Sequence, residues 1–483
     1  MRLFFISWDG KEVGLNDVVA RLQKKSFDIV YWTYFSEKDL DATQFPATIF
    51  HSVSDALAGK PARGIDVSNF QPPGSDVIKM FQNTELTVLT MMDKKYERLA
   101  VEERKHLYYR LLGYWHEVLQ RLKPDAIIFS VLPHEVYDFV VYAIAKKMNI
   151  KVILFQPILL TNGWNLILND YTNESPALRD EMRKQSGTQF SVADLKPDTR
   201  EHYQKHAENG EDTPPIYTRQ VLSLHKGMRL LFIKLRSVWL SLRVHRDLSV
   251  LVAVLTYMPR MFLPNLKNEY RRVQSPPDFG EEFIYTTLQY QPEAQTCPQA
   301  GVFADQLLMI ETLSAALPPG WFVYVKEHPS LWPVRGLKFY HFRYQGYYES
   351  IARLKNVKLV PVETDSFQLI RHAKAVATGA GSVGWEALLR SKPVLVFGYP
   401  WYQSCEGVCK VTDRVSCRAV LEKIKNGFEI SQQKVINFLA CVDTVSVEAY
   451  FSGFAAGISK IGPRQNTENI LRAIETELRR KEL

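Results

Sequence analysis

Three short stretches carry residue types whose spacing suits phosphate and hydroxyl chemistry. In residues 377–389, ATGAGSVGWEALL, Thr378 ends an apolar run, and Gly379, Gly381 and Gly384 surround a turn. Ser382 stands where it could cap the helix that follows. Small residues let backbone N–H groups approach an anion, and a helix N-terminus adds a favourable dipole. Glu386, expected in the first turn of that helix, could accept hydrogen bonds from the two hydroxyls of a ribose. The lysine of a Walker A loop is absent. A tight strand-to-helix turn with no ligand would read the same way. In residues 323–329, VYVKEHP, a strand would deliver Lys326, Glu327 and His328 to its end, where Pro329 closes it. A histidine so placed can donate to a phosphate oxygen, and a plain strand end with surface charges is the alternative. In residues 287–298, TLQYQPEAQTCP, Gln289, Gln291 and Glu293 follow a strand. Glu293 suits a general base that takes a proton from a hydroxyl, or it is a solvated loop carboxylate.

The elements that must position these residues alternate. Residues 2–7 and 27–35 read as strands around a helix at 17–23. An amphipathic helix over 108–122 precedes a strand at 124–131, a helix at 134–148 and a strand at 151–157, a βαβ order that implies a parallel sheet. A second alternating region begins near residue 282, with strands at 283–290, 321–329, 357–361, 374–381 and 392–398 and helices at 303–317, 365–373 and 383–390. Asp365 and Gln368 have capping-box spacing. Two such regions imply two Rossmann-like domains, with ligands beyond the C-terminal ends of the strands. The three stretches would then converge on one sheet edge. The expected division is 1–170 for the first domain, 171–280 for a polar linker and a basic helical insertion, 281–465 for the second domain, and 466–483 for a terminal helix. In the first domain, His134 and Asp138 follow a strand in VLPHEVYD (131–138); they could face a substrate across a cleft or cap the next helix.

Bulk properties exclude several classes. The 483 residues are 46% apolar and 23% charged, ordinary for a globular protein of two or three domains. No signal peptide and no spanning helix are expected. The five cysteines form no CxxC pair, so free thiols in a reducing cytoplasm are expected, with no metal and no other cofactor. The net charge of +8 is local: residues 219–272 hold eleven Lys/Arg against Asp247 and Glu269, and the rest is near neutral. That distribution argues against a general nucleic-acid surface.

The ordered set LQYQPEAQTCP, ADQ, LPPGWFVYVKEHP, VPVETDSFQLI and AVATGAGSVGWEALLRSKPVLVFGYPWY, spanning roughly 283–410, resembles the capsule polysaccharide biosynthesis family, which includes Kdo transferases. The resemblance implies a GT-B-like architecture and a glycosyltransferase that moves a sugar from a nucleotide donor to a surface-glycan or lipid-linked acceptor. A CMP-linked acidic sugar such as Kdo is the implied donor. His328 and Pro329 match the family's HP motif, which contacts the nucleotide phosphate. Gly379, Gly381, Ser382 and Glu386 also resemble nucleotide-binding residues of sugar-nucleotide 2-epimerases. Lys326 and Gln291 join the donor-side candidates, and Glu293 is the candidate catalytic base. Two rival functions stand beside this one: a 2-epimerase on the same fold, and a non-catalytic capsule assembly or export factor.

The basic insertion has its own reading. Arg229, Arg236 and Arg243 recur every seven residues, beside Phe232, Leu235, Trp239 and Leu242. Such a helix could lie in the headgroup plane of an anionic membrane, which would place a cytoplasmic protein on the inner membrane face. The same helix could instead pack its apolar face on the protein and leave the arginines solvated.

Overall fold

Successive residues of the first strand belong to different cores, and this alternation explains the first sheet. Phe4 and Ile6 lie in one core with Tyr31, Trp115 and Tyr137; Leu3 and Phe5 lie in the other with Trp8, Val18 and Ile474. A strand buried on both faces needs a continuous apolar run and helices on each side. The computed structural model describes residues 1–8, 13–37, 40–96, 99–158, 163–212, 265–289, 293–331 and 343–480, with single positions between 232 and 255.

In the first sheet, β1 (Arg2–Ile6) lies between β2 (Asp28–Tyr34) and β4 (Ala126–Phe129). β3 (Ile49–Ser52) and β5 (Lys151–Pro157) extend it in parallel, and β6 (Trp164–Leu168) pairs antiparallel with β5. The second sheet is wholly parallel. It comprises β7 (Phe283–Thr287), β8 (Phe322–Lys326), β9 (Val357–Leu359), β10 (Ala375–Thr378), β11 (Val394–Val396) and β12 (Val408–Lys410), in the order β12-β11-β10-β7-β8-β9. Phe283 and Tyr285 enter one core and Ile284 the other, repeating the pattern of β1. The result is the α/β class expected from the sequence, built on two sheets.

Both sheets reverse strand order beside their first strand. β1 has β2 on one side and β4 on the other; β7 has β8 and β10. These are topological switch points, where the loops diverge and leave a crevice at the carboxyl ends of the strands.

Residues 170–212 are more structured than their polar composition implies. The helices Pro176–Lys184 and Pro197–Tyr203 bury Leu178, Thr199 and Tyr203, and Asp443 accepts from the Lys196 amide at 2.8 Å and from the Thr199 hydroxyl. A few large apolar anchors suffice to dock them on the helix Gln432–Val445.

The chain also leaves the second sheet before residue 465. β13 (Val447–Glu448) pairs antiparallel with β6, and the terminal helix Pro463–Arg479 packs on the helix Leu15–Lys24 of the first sheet. Asn466 donates to the Val13 carbonyl at 2.9 Å, and Thr467 sits over Gly14, where φ is +81° and a Cβ would strike its hydroxyl. All five cysteines are free. Among the described residues, no helix is long and apolar enough to cross a membrane.

Candidate functional site

The loops after β7, β8 and β10 meet at the second switch point. The glycine turn after β10 is already filled from within. With its side-chain amide oriented to face these donors, Gln289 accepts from the Gly381 amide at 2.9 Å and the Ala380 amide at 3.3 Å. The Thr378 hydroxyl accepts from the Gly381 amide as well, at 3.0 Å. A Cβ at Gly381 would lie 2.8 Å from the Gln289 amide, one at Gly379 would lie 2.9 Å from Ala300 Cβ, and one at Gly384 would strike the Tyr402 hydroxyl. These glycines therefore make room for protein side chains, not for open amides awaiting an anion. Ser382 departs from expectation too. Gly381 is the N-cap and no side chain caps the helix Ser382–Leu388. The Ser382 hydroxyl instead faces Glu386 Oε1 at 3.4 Å. Glu386 lies one turn into that helix, half-buried, and its carboxyl is raised by burial against the opposing pull of Arg390, Ser382 and Lys326.

β8 ends in a buried run. Lys326 donates from Nζ to Ser366 Oγ at 2.7 Å and to the Thr364 carbonyl, and burial pulls its ammonium down to about 8. Glu327 is fully buried and pairs with Arg343, Nε to Oε2 at 3.0 Å. His328 accepts from the Ser330 amide at Nδ1, 3.2 Å, so its neutral ring carries the proton on Nε2. Burial, with Arg343 and Lys326, holds the ring down at about 4, so it is neutral at pH 7. Pro329 follows, half-buried.

The segment after β7 crosses to the first sheet. Glu293 opens a turn in which its carbonyl accepts from the Thr296 amide at 2.9 Å. Cys297 then buries its thiol in the first sheet's core, donating to the Thr87 carbonyl at 3.5 Å. Gln299 bridges both sides, donating to Gln156 Oε1 at 3.3 Å and the Tyr399 carbonyl at 3.1 Å. Glu293 thus stands where the two sheets join. Gln291 lies outside the described residues.

Residues 281–429 match the family described as capsule polysaccharide biosynthesis protein. The match covers β7 through the helix Arg414–Lys425, and with it all three loops. No curated protein sequence matches the chain. Among solved structures, it is similar to the KpsC beta Kdo 2,7 transferase of Thermosulfurimonas dismutans at 11% identity and TM-score 0.31, covering 77% of this chain and 90% of that one. It is similar to the UDP-GlcNAc 2-epimerase of Methanocaldococcus jannaschii at 12% identity and TM-score 0.25, covering 92% and 98%. Likenesses this distant carry nothing about function.

Outside the matched region, the first sheet has a different crevice. Asp138 is buried and accepts from the amides of His134 at 3.3 Å and Glu135 at 2.7 Å. Burial raises its carboxyl to about 6. It lies in the first turn of the helix Tyr137–Lys147 and ties down the segment before it, where Val136 is the N-cap and no side chain caps the helix, while His134 donates from Nδ1 to the Leu132 carbonyl at 2.8 Å. Between β1 and β4 lie hydroxyls that the sequence analysis did not single out. Tyr137 meets Ser7 Oγ at 2.7 Å and Thr33 Oγ1 at 3.2 Å, and Ser130 donates to the Ser7 carbonyl at 2.6 Å. Ser7 and Val136 both hold φ of 59°. No sequence pattern announces such residues, because neither is the glycine that usually marks this conformation.

Of the insertion candidates, Arg229 lies outside the described residues. Arg236, Trp239 and Arg243 are helical and exposed, with Phe232 and Leu235 exposed beside them. Among the described residues, no group of three or more His, Cys, Asp or Glu side chains is placed to hold a metal ion.

Proposed function

We propose that the protein is a glycosyltransferase of capsule or surface-polysaccharide synthesis that binds its nucleotide-sugar donor at the β7/β10 crevice. The observation that carries this reading is His328, a neutral imidazole fixed at a strand end beside the switch point and inside the matched region. Its Nε2–H is a preorganised donor for the phosphate that departs when the anomeric carbon is attacked. Because Gln289 already satisfies two amides of the glycine turn, the phosphate load falls on His328 and not on those amides. Glu386 takes the ribose hydroxyls. Glu293, at the junction of the sheets, takes the proton of the attacking acceptor hydroxyl. The acceptor, a glycan or glycolipid, lies on the first sheet near His134. The donor class is a CMP-linked acidic sugar, and no metal or other cofactor is called for.

The exposed Trp239, Leu235 and Phe232 beside Arg236 and Arg243 support docking of the insertion on the anionic inner face of a membrane. Co-sedimentation with anionic vesicles should fall when Arg229, Arg236 and Arg243 become Gln, by about 1 kcal/mol per residue at low salt. Equal pelleting with neutral vesicles counts against docking.

The test of the main reading is thermal shift and calorimetry with CMP, UDP, GDP and their sugars. Stabilisation by one nucleotide, with sugar transfer only when acceptor is present, supports it. Product from donor alone points to an epimerase, and no nucleotide response points to an assembly factor.

A further inference from the structure

We propose that Arg343 is the positioning residue of the donor site. It ties the loop after β8 to the end of β7, and through Gln289 to the glycine turn after β10. The inference rests on the donor-site reading above.

The Glu327 carboxylate receives four donors: Arg343 Nε at 3.0 Å, another Arg343 guanidinium nitrogen at 3.2 Å, the Tyr348 hydroxyl at 2.7 Å and the His328 amide at 2.7 Å. The last of these fixes the backbone of the residue that faces the phosphate. The nitrogen 3.2 Å from Glu327 also donates to the Gln289 carbonyl at 3.2 Å. Gln306 clamps the same backbone, accepting from the Gln289 amide at 2.6 Å and donating to its carbonyl at 3.2 Å. The Gln289 side chain then holds Ala380 and Gly381. One hydrogen-bonded chain, Tyr348–Glu327–Arg343–Gln289–Gly381, therefore spans all three loops.

Stability alone is a weak reason for this arrangement. Both partners are almost wholly buried, at 2% for Arg343 and 0% for Glu327, and burying two charges is no more stabilising in general than packing apolar side chains. What the pair supplies is direction. The planar guanidinium meets a carboxylate with two nitrogens and still reaches a carbonyl; an ammonium on a flexible stem keeps the charge without the fork. A displacement of the fork would shift His328 and the glycine turn together.

The experiment is Arg343→Lys, which keeps the charge opposite Glu327 but loses the fork. Nucleotide affinity is measured by calorimetry, and the His328 imidazole by its 15N signals, assigned with His328→Gln. The expected result is affinity lower by about tenfold or more, as for other small misplacements of binding groups, with altered His328 signals and retained far-UV dichroism. Adding Gln289→Ala to Arg343→Lys should cost no further affinity, because both act through one chain. Wild-type affinity and unshifted His328 signals in Arg343→Lys overturn the proposal and leave the donor site standing. Failure of the wild type to bind any of CMP, UDP or GDP overturns the donor reading, and the proposal with it. If Arg343→Lys does not fold, Gln289→Ala alone decides: it leaves the ion pair intact but frees the turn that opens the helix carrying Glu386, so unchanged affinity there overturns the proposal.

Discussion

At the β1/β4 crevice the first sheet offers hydroxyls, those of Ser7, Thr33, Ser130 and Tyr137, bonded to one another or to backbone. At the β7/β10 crevice the second sheet offers charge: the buried Glu327–Arg343 pair, Lys326 and Glu386. The strand order beside the two switch points is the same, so the difference lies in what each crevice must hold steady. Buried charges need partners in place before a ligand arrives, and that requirement makes the second crevice rigid. Neutral hydroxyls carry no such charge and can exchange partners at little cost. The backbones differ as well. The first crevice holds Ser7 and Val136 in the left-handed region. The second bends at Gly381 with φ of −76° and uses its glycines for space. Strain of about 1–3 kcal/mol per such residue is therefore concentrated at the first crevice.

The largest expected effect separates the tasks of the two crevices. On the proposed reading, Glu293→Gln should lower turnover about 10²- to 10⁴-fold and leave donor affinity nearly intact, since it removes the proton acceptor at the junction of the sheets and leaves His328 and Glu386 in place. Steady-state kinetics beside calorimetry reads both, and wild-type turnover removes Glu293 from the mechanism. Next is acid stability. Burial holds His51 on the first sheet and His328 on the second at about 4, against an ordinary value near 6.5. The unfolded chain takes up these protons first, so stability is full above about 6.5 and falls as the pH drops toward 4. For His51 the loss approaches about 3 kcal/mol. Urea melts of His51→Gln should show a flatter pH dependence in that window with unchanged nucleotide affinity; an unaltered slope would mean His51 is not held neutral.

Gly381→Ala tests whether the glycine turn is packed or open. Packed against Gln289, it should lose about 1–3 kcal/mol of stability in chemical melts. An unchanged midpoint would show that the turn has free space and would return its amides to the ligand. The smallest effect is that of His328→Ala, a loss of about tenfold in nucleotide affinity with the melting temperature retained, worth about 1.4 kcal/mol. Equal affinity by calorimetry removes His328 from the site.

Period and punctuation in the sequence determined the α/β class, the strands that carry the three loops, and the placement of His328 and Glu386 near one sheet edge. These signals are local: apolar runs of strand length, Pro329 after a strand, glycines before a helix. The sequence also marked Asp138 as either a capping residue or a substrate-facing one; it is buried and holds the amides of His134 and Glu135 ahead of the helix. Three things were left to the tertiary structure. The glycine turn reads as an open nest until Gln289, 92 residues earlier, is seen to fill it. Arg343 has no motif, because its partners Glu327 and Gln289 come together only when β7 and β8 pair. The terminal helix has the apolar stripe of any amphipathic helix, and only β13 on β6 directs it to the first sheet. A side chain's type and local period fix which element it joins. Which other element covers it depends on contacts between residues far apart in the chain, and only the folded structure decides those.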